Sequence, residues 1–290
     1  SETSTSETTV TAGTPLLALC MARHALSERY PHWVENAPSA AWLNLKPLSR
    51  DDSRHLVEHI LQKAETLPSA LRELVVGGAE GNPFYLEELI KMLIDGKVIR
   101  PGEEVWKIDL ARLDAFNIPP TLAGVLQARL DRLDAVERAS LQRASVVGRV
   151  FWDSAIEALD PDLQAERERL QGSLSVLRTK ELIFSSPVST FSGTQEYSFK
   201  HALLRDVTYE TVLKRQRAQY HARVADWLSS VSGERRAEYL PIIADHYEKA
   251  GENAKAVATL SEAGEQALGV SAFSEAFRFF QRALSLIQFD

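Results

Sequence analysis

The stretch Gly81-Asn-Pro-Phe-Tyr-Leu-Glu-Glu-Leu-Ile90 carries the most specific structural signal in the chain. Asn82 is a residue type that caps helix N-termini. Pro83 suits the first helical position, because the N–H that proline lacks would have no helical partner there. Apolar side chains then recur at helical spacing until Gly96. The stretch therefore predicts an amphipathic helix with a fixed start.

Similar start and stop signals surround this helix. Ser49 offers an N-cap with an acidic residue three positions later, which predicts a helix that ends before Leu67-Pro68. A second helix follows and ends near Gly77, and a brief extended stretch contains Trp106 and Ile108. We interpret residues 49–116 as a small helical domain.

Residues 117–232 show a different order of elements. Four helical patterns are followed by two alternating runs, Glu181-Leu-Ile-Phe-Ser and Glu196-Tyr-Ser-Phe-Lys, with a turn-forming segment between them. Helices followed by a β-hairpin are typical of a winged helix, and two further helical patterns complete this region.

The C-terminal residues 233–290 are repetitive. Ala256, Leu260 and Ala263 share their small-large-small spacing with Ala276, Phe280 and Ala283, one period of 20 residues later. Small residues at such intervals allow helices to approach closely, so we predict the start of a tetratricopeptide-like helical solenoid, although that repeat normally has a period of about 34.

The N-terminal residues differ from the rest. Residues 1–14 are mostly Ser, Thr and Glu and predict a flexible lead. The apolar run over residues 14–22 resembles a buried parallel strand, in which Cys20 would be inert. We therefore predict residues 15–48 to be the C-terminal remnant of an α/β domain. The fold class as a whole is mainly α.

Composition limits the possible functions. The chain has 290 residues, a net charge of -7 and one cysteine. This charge argues against sequence-independent binding of nucleic acid. A single cysteine favours a reducing compartment, and no segment resembles a signal peptide or a membrane span, so we predict a cytoplasmic location.

The sequence contains no motif that indicates a catalytic centre. A phosphate loop of the form GxxxxGK[ST] is absent from the sequence, so we predict no nucleotide hydrolysis and no enzyme activity for this chain alone. His55 and His59 have a possible metal-ligand spacing, but a solvated helix face explains them better, and we predict no metal.

The motifs taken together resemble those of the STAND signal-transduction ATPases, over nearly the whole chain from about Leu16. The similar branch is fused to class III adenylate or guanylate cyclases, protein kinases or LuxR-type regulators. The residues that carry the resemblance are Gly81-Asn-Pro-Phe84, Leu86-Glu-Glu-Leu89, Leu45-Lys-Pro-Leu-Ser49, Ile118-Pro119 and Ala128-Arg-Leu-Asp-Arg-Leu133. In that family a nucleotide-binding domain, a small helical domain, a winged helix and a tetratricopeptide-like sensor follow one another. The resemblance implies that residues 15–48 are the C-terminal remnant of the α/β nucleotide-binding domain.

The resemblance implies four nucleotide-binding residues. Gly81 and Pro83 match a Gly-x-Pro motif whose proline lies against adenine. His201, in Tyr197-Ser-Phe-Lys-His201, matches a histidine that contacts the β-phosphate of ADP, in a pocket that Lys200 and Arg205 would make cationic. Arg23 falls where the family has a sensor arginine, although His24 replaces the usual proline after it. The alternatives are that Asn82-Pro83 only caps a helix and that His201 only packs against the hairpin.

Two functions remain open at this point. The first is a regulatory and interaction module of a multidomain signalling ATPase, which uses ATP or ADP as a switch and binds protein partners through its C-terminal repeats. The second is part of a transcription activator whose winged helix binds DNA. The candidate recognition helix, Leu163 to Lys180, has four basic and two acidic residues, a weak charge for DNA.

Overall fold

The computed structural model describes residues 43–114, 116–160 and 167–287, together with residues 17, 19–22 and 26. The fold is mainly α, with two small antiparallel sheets. The chain divides into two units, Ser1–Lys46 and Pro47–Asp290, and the second contains all the elements described below. None of the described helices is both long and apolar enough to cross a membrane.

The first part of the larger unit is a group of short helices and one two-stranded sheet. Ser49 and Asn82 cap helices as predicted, each accepting backbone N–H donors with its side chain. Pro83 occupies the first turn of its helix. The elements are α1 (Arg50–Ile60), α2 (Ser69–Ala79), α3 (Pro83–Asp95), β1 (Ile99–Arg100), β2 (Lys107–Ile108) and α4 (Leu110–Asp114).

The second part has the element order of a winged helix. Its sheet order is β3-β5-β4, antiparallel throughout, with Phe151 opposite Tyr197 and Ile183 opposite Phe199. The sequence predicted the hairpin but not the third strand. The elements are α5 (Leu122–Leu130), α6 (Ala135–Val147), β3 (Val150–Trp152), α7 (Asp153–Leu159), α8 (Arg167–Thr179), β4 (Ile183–Ser185), β5 (Glu196–Phe199), α9 (Ala202–Glu210) and α10 (Lys214–Val231).

Two hydrophobic cores meet in α5. Val125 is buried in the core of the first part, whereas the next residue, Leu126, is buried in the core of the winged helix. Successive residues on a helix point about 100° apart, so one helix can contribute to both cores. Helix α5 therefore connects the two parts by packing as well as by chain continuity.

The C-terminal part is a series of helices, α11 (Arg236–Ala250), α12 (Asn253–Gly269) and α13 (Phe273–Ile287). Their connections are only two or three residues long, which favours antiparallel neighbours. The repeated alanines face the helix contacts, as their spacing predicted, and Gly264 allows the Phe280 ring so close that an added Cβ would lie 2.6 Å from it.

The prediction of a buried strand at residues 14–22 is wrong for the residues that the structure describes there. Leu17, Leu19 and Met21 are 84–95% exposed, none of these described positions is in a strand, and Cys20 is exposed. A buried strand needs neighbouring strands to pair with its backbone and cover its faces. No described residue supplies such a strand to this segment.

Candidate functional site

The N-terminus of α3 and the start of α9 meet through two aromatic rings. Phe84, directly after Pro83, stacks on His201, with ring centroids 3.6 Å apart and planes tilted by 40°. Two of the sequence-predicted motifs are thereby brought together. The contact joins the small helical part to the winged helix.

His201 occupies the N-cap position of α9, but its side chain makes no capping hydrogen bond. Its Nε2 is buried and has no hydrogen-bond partner among the described residues. Burial, followed by the nearby Lys200 ammonium, lowers the pKa of His201 to about 4. The ring is therefore neutral at pH 7, and it can offer one hydrogen bond but no positive charge.

The positive charge comes from two lysines that share one carboxylate. The Oε2 atom of Glu181 lies 2.6 Å from Nζ of Lys91 and 3.0 Å from Nζ of Lys200. Hydrogen bonds from these two ammonium groups lower the pKa of Glu181 to about 2. Glu87 flanks the pair, 3.5 Å from Lys200 and 3.8 Å from Lys91.

Gly81 has a backbone role. Its φ of +76° is in the left-handed region, and its carbonyl accepts a 2.8 Å hydrogen bond from the N–H of Leu48. A Cβ at this position would overlap with the carbonyl oxygen of Leu48. The glycine thus fixes the approach of the chain to α3, where the ring of Pro83 is exposed and Asn82 caps the helix.

A buried ion pair lies further along α3. Arg129 of α5 contacts Glu88 at 2.5 Å and Asp95 at 2.8 Å, and it donates a third hydrogen bond to the carbonyl of Lys180. Residues from α3, α5 and the turn before β4 are therefore held by one guanidinium. Lys180 immediately precedes Glu181, so this network also holds the backbone next to the carboxylate that the two lysines share.

The side chain of Arg205 makes contacts other than the predicted ones. Arg205 does not flank His201: its Nε donates to the carbonyl of Ser145, and its guanidinium lies over the ring of Tyr209. The expectation that Arg205 makes the histidine pocket cationic is thus wrong, because the side chain is already bound elsewhere. Arg23 lies outside the described residues.

Two residues of the site were not found from the sequence. Lys91 is the only cation on α3 and interrupts an apolar run, which is a weak signal by itself. Glu181 opens an alternating run that predicts a strand, and nothing in that run indicates a contact with lysines. Their contact depends on how the winged helix packs on α3, and no local pattern reports that.

A second polar cluster lies between the winged helix and α11. The Tyr209 hydroxyl is 2.9 Å from Nε2 of His221, and Nδ1 of His221 is 2.8 Å from Nδ1 of His246. Both histidines are buried and line a cavity of about 270 Å³. Burial is the main cause that lowers the pKa of His221 to about 3 and that of His246 to about 4.

Within the described part of the chain, no three His, Cys, Asp or Glu side chains are arranged to hold a metal ion. The residues around His201 suit a different kind of group. They combine an unpartnered imidazole nitrogen, an exposed proline ring and two ammonium groups that pair with carboxylates, so an anion would bind here in competition with Glu181 and Glu87.

Comparison with known proteins shows a distant similarity but no family. No family model matches the chain. The chain is 25% identical over 265 residues to the uncharacterized protein R02095 of Rhizobium meliloti (strain 1021), an alignment that covers 88% of this chain and 24% of that protein. The chain thus spans about a quarter of the length of this relative.

Proposed function

We propose that this chain is the regulatory and interaction module of a multidomain signalling ATPase, in which bound nucleotide controls an effector such as a nucleotide cyclase. The observation that carries the proposal is the contact between Phe84 and His201. It places the Gly81-Asn-Pro-Phe84 motif and His201 at one junction of two structural parts. A ligand bound at such a junction can favour one arrangement of the parts over another.

The residues at this junction fit ADP or ATP. Pro83 presents an exposed apolar ring for adenine, and the buried Nε2 of His201 has no protein partner and can donate to a phosphate oxygen. Lys91 and Lys200, which pair with Glu181 in this structure, are proposed to supply the charge that a phosphate requires. The nucleotide, when bound, supplies the hydrolysable phosphate, while these residues bind and orient it.

The module is not proposed to hydrolyse nucleotide by itself. Its sequence has no phosphate loop, so we place that loop, with Arg23 beside it, in a nucleotide-binding domain of a longer cytoplasmic protein. The length of the relative in Rhizobium meliloti agrees with a longer architecture.

The C-terminal helices are proposed to bind protein partners. Helix α13 exposes four large apolar side chains, and stacked helices present extended surfaces to partners. These side chains are Phe273, Phe277, Leu284 and Ile287.

Titration of the chain with ADP tests the nucleotide proposal. The Hε1 proton of His201, followed by NMR, should shift with an affinity weaker than about 100 μM, because the phosphate loop is missing. The variant H201A should lose most of the binding. The exposed His55 provides a matched control, H55A, which should bind as the wild type does. Equal binding by H201A, a submicromolar affinity or measurable ATP turnover would contradict the proposal.

A further inference from the structure

We infer that Glu181 is an internal anion that occupies the phosphate position between Lys91 and Lys200, and that a phosphate-bearing ligand must displace its carboxylate to bind. The identity of the ligand rests on the proposed function. The displacement itself rests on the geometry of the three side chains. Glu181 would then set the affinity of the site and keep it closed to ligands that cannot compete.

The two ammonium groups are more buried than the carboxylate that they share. The side chains of Lys91 and Lys200 are only 19% and 14% exposed, whereas that of Glu181 is 53% exposed. The Glu181 side chain is therefore much more accessible to solvent than either lysine side chain. Glu181 belongs to neither hydrophobic core, so rotation of its side chain would uncover neither of them.

The backbone of Glu181 is held independently of its carboxylate. Its N–H donates to the carbonyl of Arg178, the next N–H donates to Leu177, and the preceding carbonyl accepts from Arg129. Its φ is +53°, an uncommon conformation for a residue with a side chain. The turn therefore remains in place when the side chain moves.

Charge balance explains why another anion must take the place of the Glu181 carboxylate when it moves away. Without Glu181, the two largely buried ammonium groups would keep Glu87 as their shared carboxylate. Glu88 lies 3.9 Å from Lys91 but is already paired with Arg129. Burial lowers the pKa of Lys91, and the hydrogen bond from Lys91 to Glu181 opposes that shift. A phosphate group has several acceptor oxygens and can satisfy both lysines at once.

Calorimetric titrations at constant ionic strength test the inference, with inorganic pyrophosphate, ADP and adenosine as probes. The variant E181Q removes the competing charge and should bind pyrophosphate and ADP about tenfold more tightly than the wild type. E181N, whose side chain is shorter and suits a positive φ, should do the same. E252Q is the matched control, since Glu252 lies near Lys255 on the solenoid, and it should bind like the wild type.

The outcomes separate this inference from the proposed function. Tighter pyrophosphate binding by E181Q and E181N, with no preference for ADP over pyrophosphate, would support the displacement and contradict the nucleotide function. Equal ADP binding by the wild type and both variants would overturn the displacement and leave the function standing. No binding of any probe by any variant would overturn both.

Discussion

Arg129 and Glu88 form an ion pair in which both side chains are 2% exposed. They come from the two segments, Ala128-Arg-Leu-Asp-Arg-Leu133 and Leu86-Glu-Glu-Leu89, that contributed to the family resemblance. The pair therefore gives these segments a structural role that needs no nucleotide. It joins α3 to α5. Arg129 also bonds to the carbonyl of Lys180, which links the pair to the turn that carries Glu181.

Removing one partner of this pair should destabilise the protein strongly. The variant E88A leaves the guanidinium buried with only Asp95 as a counter-charge, and breaking a buried pair in this way costs about 3–5 kcal/mol. Urea unfolding measures the loss. E238A, which breaks an exposed pair with Arg235, is the control and should change the stability little. Equal stability of the two variants would show that the Arg129 network does not hold the parts together.

Gly81 should not tolerate a side chain. The variant G81A places a Cβ against the carbonyl of Leu48 at a positive φ, so we expect a loss of more than about 1 kcal/mol in the free energy of unfolding. Gly172 in α8 is the matched control, because nothing lies within 4 Å of its added Cβ.

G172A should be neutral or stabilise the protein by about 0.5–1 kcal/mol, since alanine is a better helix former than glycine. A G81A protein as stable as G172A would contradict the structural role of Gly81. Thermal or urea unfolding of the two variants under one set of conditions decides the matter.

The parts of the fold that the sequence predicted are those with local signals. Ser49, Asn82 and Thr121 each cap a helix through their own side chains, and a cap depends only on its immediate neighbours. Strand β3 was missed because Val150-Phe-Trp152 is short and runs directly into a helix. The apolar run at residues 14–22 predicts a buried strand that its described residues do not form, because burial depends on neighbouring strands, which a run cannot specify.

In the candidate site, too, local motifs indicated some residues, whereas others are brought in by tertiary packing. Pro83 and His201 were found through a resemblance in their local motifs, and the structure brings their segments together. The neutral state of His201 and the shared carboxylate of Glu181 depend on tertiary packing. No sequence spacing connects Lys91 to a residue 90 positions away.

The stability of the protein should fall in mild acid because of its buried histidines. His246 accepts from, or donates to, His221 through Nδ1, and its other contact is with the backbone of Val147. Only one hydrogen fits between the two Nδ1 atoms, so a doubly protonated pair is excluded. Lys249, Arg205 and Arg217 oppose protonation further, while Asp245 favours it.

The sign follows from the pKa values. The folded pKa values of about 3 and 4 lie below the ordinary 6.5, so the unfolded chain binds more protons between these limits. The contribution of the neutral histidines to the free energy of unfolding is fully present above pH 6.5. It decreases as the pH falls towards 4, by up to about 1.4 kcal/mol per pH unit for each histidine. His201 acts in the same direction.

Urea unfolding between pH 7.5 and 5 measures this dependence. The variant H246Q should show a shallower decrease than the wild type, because one titrating group is gone, whatever its stability at pH 7.5. H55Q removes an exposed histidine and should keep the wild-type slope. A wild-type stability that does not change over this range would contradict the buried, neutral state of the pair.

The winged helix should not bind DNA. Among the basic residues of α8, Arg167 is paired with Glu157 at 3.2 Å and Arg178 reaches Ser185, so these side chains are partly engaged within the protein. The net charge of -7 adds repulsion from phosphates. Electrophoretic titration against random duplex DNA at low salt should give no complex, and a salt-dependent shift in mobility would favour the transcription-activator alternative.

His201 should act as a switch residue in the longer protein that we propose. If ADP holds the closed state through the Nε2 donor of His201, the variant H201A removes one hydrogen bond to a charged phosphate, worth about 1.5–3 kcal/mol. That loss shifts the ratio of closed to open protein by about 10- to 150-fold. Basal effector output or assembly should rise, and retained ADP should fall. H55A in the same protein controls for the loss of a histidine. Output, assembly and ADP retention that all match H55A would mean that His201 only packs against Phe84.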